Sequence, residues 1–194
     1  ILDRNFFIPF CLTNPRLRVT LKGSFPSVPN VGQIKDLTLS HDMTNQKSTQ
    51  EPFIIAEIAQ GYEGSEKLVD LYVKAAANAG ADAVKFQIFY ADESAFPDYT
   101  HYALYKKLEL PFEIWGNAVE YAHTRGILFY SDAVGVKSFE MLEKIGVDGY
   151  KIHAGSIRNT PLLKAIAKSI DRSKKKIYIA TGGCVLSEVD RAVE

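Results

Sequence analysis

The chain has 194 residues, 46% of them hydrophobic and 24% charged, the balance of a globular domain with a sizeable core. Its 23 basic and 23 acidic residues cancel, which excludes whole-chain attraction to nucleic acid or an anionic membrane and leaves any anion binding to local clusters. There is no apolar run of about 18 residues, so no membrane-spanning helix is expected. The two cysteines, Cys11 and Cys184, are far apart and read as reduced thiols of a cytoplasmic protein.

Residues 1–52 keep neither a helical nor a strand period for long, and "SFPSVPNVGQ" is turn punctuation. They read as an irregular N-terminal extension. The sequence opens on Ile1 and its first methionine is Met43, so translation is expected to start there, with residues 1–42 outside the fold. "NFFIPFCLT" holds Pro9 and lacks a small-residue cleavage site, so it does not read as a signal peptide.

From residue 53 the pattern becomes regular. "FIIAEIA" (53–59) reads as a strand and "SEKLVDLYVKAAANAG" as a helix. "GADAVKFQIF" contains the strand 83–89, with Val84, Phe86 and Ile88 on one face and Lys85 and Gln87 on the other. A long segment, 90–110, follows before the helical "PFEIWGNAVEYAHTRG", and connections of that length are more often functional than idle. The strand "ILFYSDA" (127–133), the helix "VKSFEMLEKIG", the strand "GYKIHAG" (149–155), the helix "TPLLKAIAKSI" and the strand "KIYIATG" (176–182) complete the alternation. Gly80, Gly126 and Gly146 follow three of the helix ends, where a left-handed residue commonly stops a helix. "LSEVDRAVE" opens a last helix, with Ser187 as its expected N-cap, and the chain stops without a C-cap.

Alternating strands and helices imply parallel βα units, either in a doubly wound sheet or as the first five-eighths of a (β/α)8 barrel. The polar residues favour the barrel. Glu57, Lys85 with Gln87, Asp132, Lys151 with His153, and Thr181 all fall toward the C-terminal ends of their strands, which in a barrel converge on one mouth. The expected fold is therefore α/β, a partial TIM barrel over residues 53–194 that is truncated at its C-terminal end.

Two lysines at one mouth point to an anionic small substrate, a carboxylate or phosphate, because an ammonium offers such a group a point charge and three donors. Glu57 is then either their counter-ion or a catalytic carboxylate. "ATGG" (180–183) could present backbone N–H groups to an oxyanion. The histidines His41, His101, His123 and His153 make no metal-ligand spacing, and His123 reads as a surface residue. A barrel lysine can also form a Schiff base, as class I aldolases do; at this level both routes stay open.

The segments "FIIAEIAQGYEGSEKLVDLYVKAAANAGADAVKFQIFYADE", "YALYKKLEL", "GYKIHAGSIRNTPLLKAIA" and "IYIATGG", in this order, resemble the N-acetylneuraminate (sialic acid) synthase family. The similarity covers about residues 53–194. It implies condensation of phosphoenolpyruvate with an N-acyl aldose such as N-acetylmannosamine, giving a 2-keto sugar acid and phosphate. It also implies a divalent metal, Mn2+ or Mg2+, held by histidines beyond residue 194, and a homodimer in the full-length protein. Lys85 and Lys151 would bind phosphoenolpyruvate, and Glu57 would sit beside the metal and its water. Gln87, Tyr62, Asp132, His153, Ser156 and Thr181 would line the substrate.

The chain departs from that family where it reads Gly61-Tyr62-Glu63-Gly64, Ser131-Asp132-Ala133-Val134, Ala154-Gly155-Ser156 and Ala180-Thr181-Gly182-Gly183. Hydroxyls and one acid that usually hold the substrates are absent, and Asp132 adds a charge where a neutral side chain is usual. These departures leave room for a related phosphoenolpyruvate–sugar synthase, a Schiff-base aldolase or a non-catalytic paralogue. Taken alone, the chain is expected to be inactive.

Overall fold

Ile55–Ala59 (β1), Ala83–Phe86 (β2), Leu128–Ala133 (β3), Gly149–Ile152 (β4) and Lys176–Ile179 (β5) form one sheet in the order β1-β2-β3-β4-β5, every pair parallel. A doubly wound sheet reverses its strand order at a switch point; this one does not, and has the order of five consecutive strands in a barrel wall. The computed structural model describes residues 53–169 and 175–194, which all fall in one compact unit, residues 49–194. The N-terminal extension expected over 1–52, with Met43, His41 and Cys11, lies outside the described residues.

The helices are Glu66–Asn78 (α1), Ala91–Ser94 (α2), Tyr102–Leu108 (α3), Phe112–Thr124 (α4), Val136–Ile145 (α5), Thr160–Ser169 (α6) and Leu186–Val193 (α7). Val69, Val73 and Ala76 of α1 recur at helical spacing, as do Trp115, Ala118, Val119 and Ala122 of α4 and Phe139, Leu142 and Ile145 of α5. Each stripe is buried against the sheet. Successive long helices touch, α1 with α4, α4 with α5 and α5 with α6, which is the outer ring of a barrel. Between the layers Phe86 stacks on Phe129 at 5.3 Å, and Trp115 bridges Phe86 and Tyr62 at 5.6 and 5.0 Å.

Local chemistry sets the boundaries. Ser65 caps α1 by accepting from Leu68 N, and Gly80, Gly126 and Gly146 take φ of +77°, +76° and +77° after α1, α4 and α5. A repeated clamp follows two of these turns. Asp82 accepts from Ile54 N at 2.6 Å and Asp148 from Phe129 N at 2.8 Å, while each aspartate N–H donates to the carbonyl of the residue it accepts from. The same four-residue passage, glycine, apolar residue, aspartate, strand, thus ties each strand to its predecessor. The last helix begins two residues earlier than expected: its cap position is Val185, not Ser187, and Glu188 accepts from Val185 N at 3.1 Å.

The strands are also shorter than their apolar runs. β2 ends at Phe86, yet Gln87 N still donates to Ala59 O at 3.0 Å and Ile88 N to Ser131 Oγ at 3.3 Å. Beyond that level the strands give way to irregular backbone held partly by side chains. In β1 the register slips between Glu57 and Ala59, and Ala59 has φ +54°. A bulge of this kind re-aims the side chain beside it. Here that side chain is Glu57.

Candidate functional site

Glu57 and Lys85 are paired neighbours across β1 and β2, as Asp132 and Lys151 are across β3 and β4. The stagger of the strands brings these two pairs together. Lys85 Nζ lies 2.8 Å from Glu57 Oε2 and 2.9 Å from Asp132 Oδ2, and Lys151 Nζ lies 3.3 Å from Asp132 Oδ1. The four groups form one chain of alternating charge on the inner face of the sheet.

Burial divides them. Asp132 is 0% and Lys85 4% exposed, so that pair is held out of water, where a lone charge costs several kcal/mol, roughly, and a partner is required. The Lys151 side chain is 29% and the Glu57 side chain 46% exposed. Glu57 is fixed at its other oxygen, which accepts from Ala59 N at 3.1 Å across the bulge. Asp132 Oδ1 is buried without a hydrogen bond, because Lys151 is close to it but not aligned as a donor.

Beside the cluster lies a cavity of about 340 Å3 lined by Gln87, Asp132, His153 and Ser156, together with Gln60, Glu93 and Tyr105. His153 Nδ1 accepts from Gly155 N at 3.2 Å, so its hydrogen sits on Nε2. Ser156 Oγ donates to Val134 O at 3.0 Å, so its lone pairs remain available and its proton does not. Glu93 accepts from Lys137 N and Ser138 N at 2.7 and 2.9 Å, tying the 90–110 segment to the start of α5. Gly135 makes room for it, since a Cβ there would stand 2.3 Å from Glu93 Oε1.

Two of the expected site residues stand elsewhere. Tyr62 is 1% exposed, packed on Trp115, and its hydroxyl donates toward Leu108 O at 2.9 Å and Gln87 O at 3.2 Å. Burial raises its phenol, with the charge of Glu109 adding to that. It ties the 90–110 segment to the core and does not line the cavity. Gly64 next to it is required: its φ is +74° and a Cβ would meet Lys107 O at 2.1 Å. Thr181 is exposed beyond β5, does not line the cavity, and its carbonyl accepts from Cys184 N. Lys85, expected on phosphoenolpyruvate, already has two carboxylates: Glu57, in the counter-ion role that was one of its two expected roles, and Asp132.

The sequence reading missed Gln60, Glu93 and Tyr105. Gln60 follows β1 directly, and the other two lie in or next to the helices of the segment already noted for its length. That segment carries its own polar ties: Glu109 accepts from Ala91 N at 2.6 Å, and Lys106 bridges Asp92 and Glu109 at 3.2 and 3.0 Å. Among the described residues, no three His, Cys, Asp or Glu side chains converge as metal ligands. Glu57, which the resemblance sets beside a metal, has both oxygens engaged, so these residues do not by themselves make a metal site. Among them, too, no helix is long and apolar enough to cross a membrane.

A parallel βα wall with cations, carboxylates and a polar cavity at the C-terminal ends of its strands has the polar groups where barrel folds form their ligand sites. The chain belongs to the NeuB family, whose model matches residues 72–194. It is 35% identical over 161 residues to an N,N'-diacetyllegionaminic acid synthase from Legionella pneumophila, covering 76% of this chain and 44% of that protein. The crystal structure of an N-acetylneuraminic acid (sialic acid) synthetase from Leptospira borgpetersenii superposes with a TM-score of 0.68 at 30% identity, covering 74% of this chain and 49% of that one. The spore coat polysaccharide biosynthesis protein SpsE of Bacillus subtilis superposes at 0.58 with 32% identity, covering 72% and 38%. The chain thus spans less than half the length of these relatives.

Proposed function

We propose that this chain forms the phosphoenolpyruvate side of a sugar-acid synthase, which condenses phosphoenolpyruvate with an N-acyl aldose such as N-acetylmannosamine. The observation that carries the reading is the meeting of Lys85 and Lys151 on one strand-end site beside a polar cavity. Relatives described as N,N'-diacetyllegionaminic, pseudaminic and N-acetylneuraminate-9-phosphate synthases support the same class of reaction.

In this reading C3 of phosphoenolpyruvate attacks the sugar aldehyde carbon, water adds at C2, and phosphate leaves with cleavage of its C–O bond. Lys85 and Lys151 hold the carboxylate and phosphate, fixing C3 near the aldehyde; such positioning can account for a large part of a barrier. Gln87 would support the phosphoenolpyruvate end of the cavity, and Gln60 and His153, which also line it, would contact the sugar. A divalent metal, Mn2+ or Mg2+, belongs to the proposal as a requirement of the complete protein, and no step is assigned to it among these residues. A homodimer is proposed on the same footing.

The test is phosphate release from phosphoenolpyruvate by the complete protein, with Mn2+ and a panel of N-acyl aldoses. The expected result is release that depends on the sugar and falls at least about a hundredfold in Lys151→Met, as loss of a transition-state charge contact does. Sugar binding without any phosphate release points instead to a non-catalytic barrel. Borohydride trapping of a substrate on Lys151 points to a Schiff-base aldolase.

A further inference from the structure

We infer that Asp132 is a built-in counter-ion that holds down the affinity of the strand-end site for anions. The inference rests on the reading of Lys85 and Lys151 as anion ligands. Asp132 is fully buried and lies between the two: Oδ2 accepts from Lys85 Nζ at 2.9 Å, and Oδ1 stands 3.3 Å from Lys151 Nζ. Glu57 adds a second carboxylate 2.8 Å from Lys85. Two formal positive charges therefore face two formal negative ones, and the cluster is neutral before a ligand arrives.

The two carboxylates do not yield equally. Glu57 is 46% exposed at its side chain, and water can take over its charge when it turns away from Lys85. Asp132 is 0% exposed and held by both lysines, so leaving its cations costs more than it does for Glu57. A phosphate or carboxylate reaching either lysine must displace a buried carboxylate from its cation or sit beside it as a like charge, and both cost affinity. A neutral hydroxyl or amide N–H meets no such penalty. Once the cluster opens, Asp132 Oδ1, which is buried beside the cavity without a hydrogen bond, can accept from such a donor. Asp132 is thus a specificity residue: it weakens simple anions and favours ligands that also bring a hydrogen-bond donor to Oδ1.

Titration calorimetry on the complete protein tests this, with inorganic phosphate and phosphoenolpyruvate as probes, in wild type, Asp132→Asn, Asp132→Ser and Lys151→Met, folding being checked by circular dichroism. Both Asp132 variants are expected to bind both anions at least about tenfold more tightly than wild type. Adding Lys151→Met to Asp132→Asn should remove that gain. Equal or weaker anion binding in the Asp132 variants, with Lys151→Met still weakening wild type, overturns the role of Asp132 and leaves the anion site standing. No anion binding by any folded variant overturns both. If neither Asp132 variant folds, wild type decides: a Kd for phosphate weaker than about 1 mM is expected, and any tighter value overturns the inference.

Discussion

Lys85 and Lys151 share Asp132 but differ in burial, so their removal should cost different amounts. Lys85→Met strands a carboxylate at 0% exposure and is expected to destabilise the fold by about 3–5 kcal/mol, the usual cost of breaking a buried pair. Lys151→Met removes a partly exposed partner at 3.3 Å and should cost about 1 kcal/mol or less. Urea denaturation of both variants checks this; equal losses would mean that the lysines are not the inner and outer members of one cluster. Glu143 gives a pH-dependent counterpart. Burial alone raises its carboxyl, but hydrogen bonds from Lys175, Tyr150 and Ser169 outweigh that and hold it below its ordinary value of 4.5. A lowered carboxyl stabilises the fold fully above 4.5, and the contribution fades as pH falls through the folded-state value. Glu143→Gln should therefore lower the melting temperature at pH 7 and bring it close to wild type in strong acid. At this scale the identities of the charged residues were legible, because lysines and acids at strand ends stand out from an apolar background. Glu57 as a counter-ion was one of two open readings, but Asp132 as the shared partner of both lysines was not legible. Whether Lys85 waits for a substrate or is already neutralised depends on the stagger between β2 and β3, which no single-strand pattern carries.

The strands and long helices follow from their periods, and the turn glycines mark where three helices stop. What the sequence concealed lies in side chains that bond to backbone. Asp82 and Asp148 carry no signal in the strand and helix periods, yet each clamps the preceding strand. Asp148→Ala should cost about 1.5–3 kcal/mol, the range for a hydrogen bond to a charged group, and should speed amide exchange at Phe129 selectively. Glu93 likewise caps α5 from a distant segment, so Glu93→Ala should cost about 1 kcal/mol, as lost helix caps do. Faster exchange at Lys137 and Ser138 would locate the loss; unchanged exchange there would show that the contact does not hold the segment. Tyr62 taught the opposite lesson. The resemblance implied that Tyr62 lines the substrate, but packing against Trp115 and two backbone acceptors make it a core tether.

For the molecule as a whole, sequential parallel order points to a barrel wall, and within the described residues β1 and β5 each have one unpaired edge. Phe53, Ile54, Ile177 and Tyr178, on or next to those edges, are exposed, as are Val185, Leu186 and Val193 on or beside α7. Open edges and apolar faces of this kind promote association. The described residues by themselves are therefore expected to associate and scatter light; a monodisperse sample with cooperative melting would contradict this. The central claim is that the strand-end lysines form an anion site. The most direct test is a crystal structure of the complete protein with saturating phosphoenolpyruvate. The phosphate or carboxylate is predicted within hydrogen-bonding distance of both Lys85 Nζ and Lys151 Nζ. Phosphoenolpyruvate bound elsewhere, with both lysines still closed on Asp132, would contradict it.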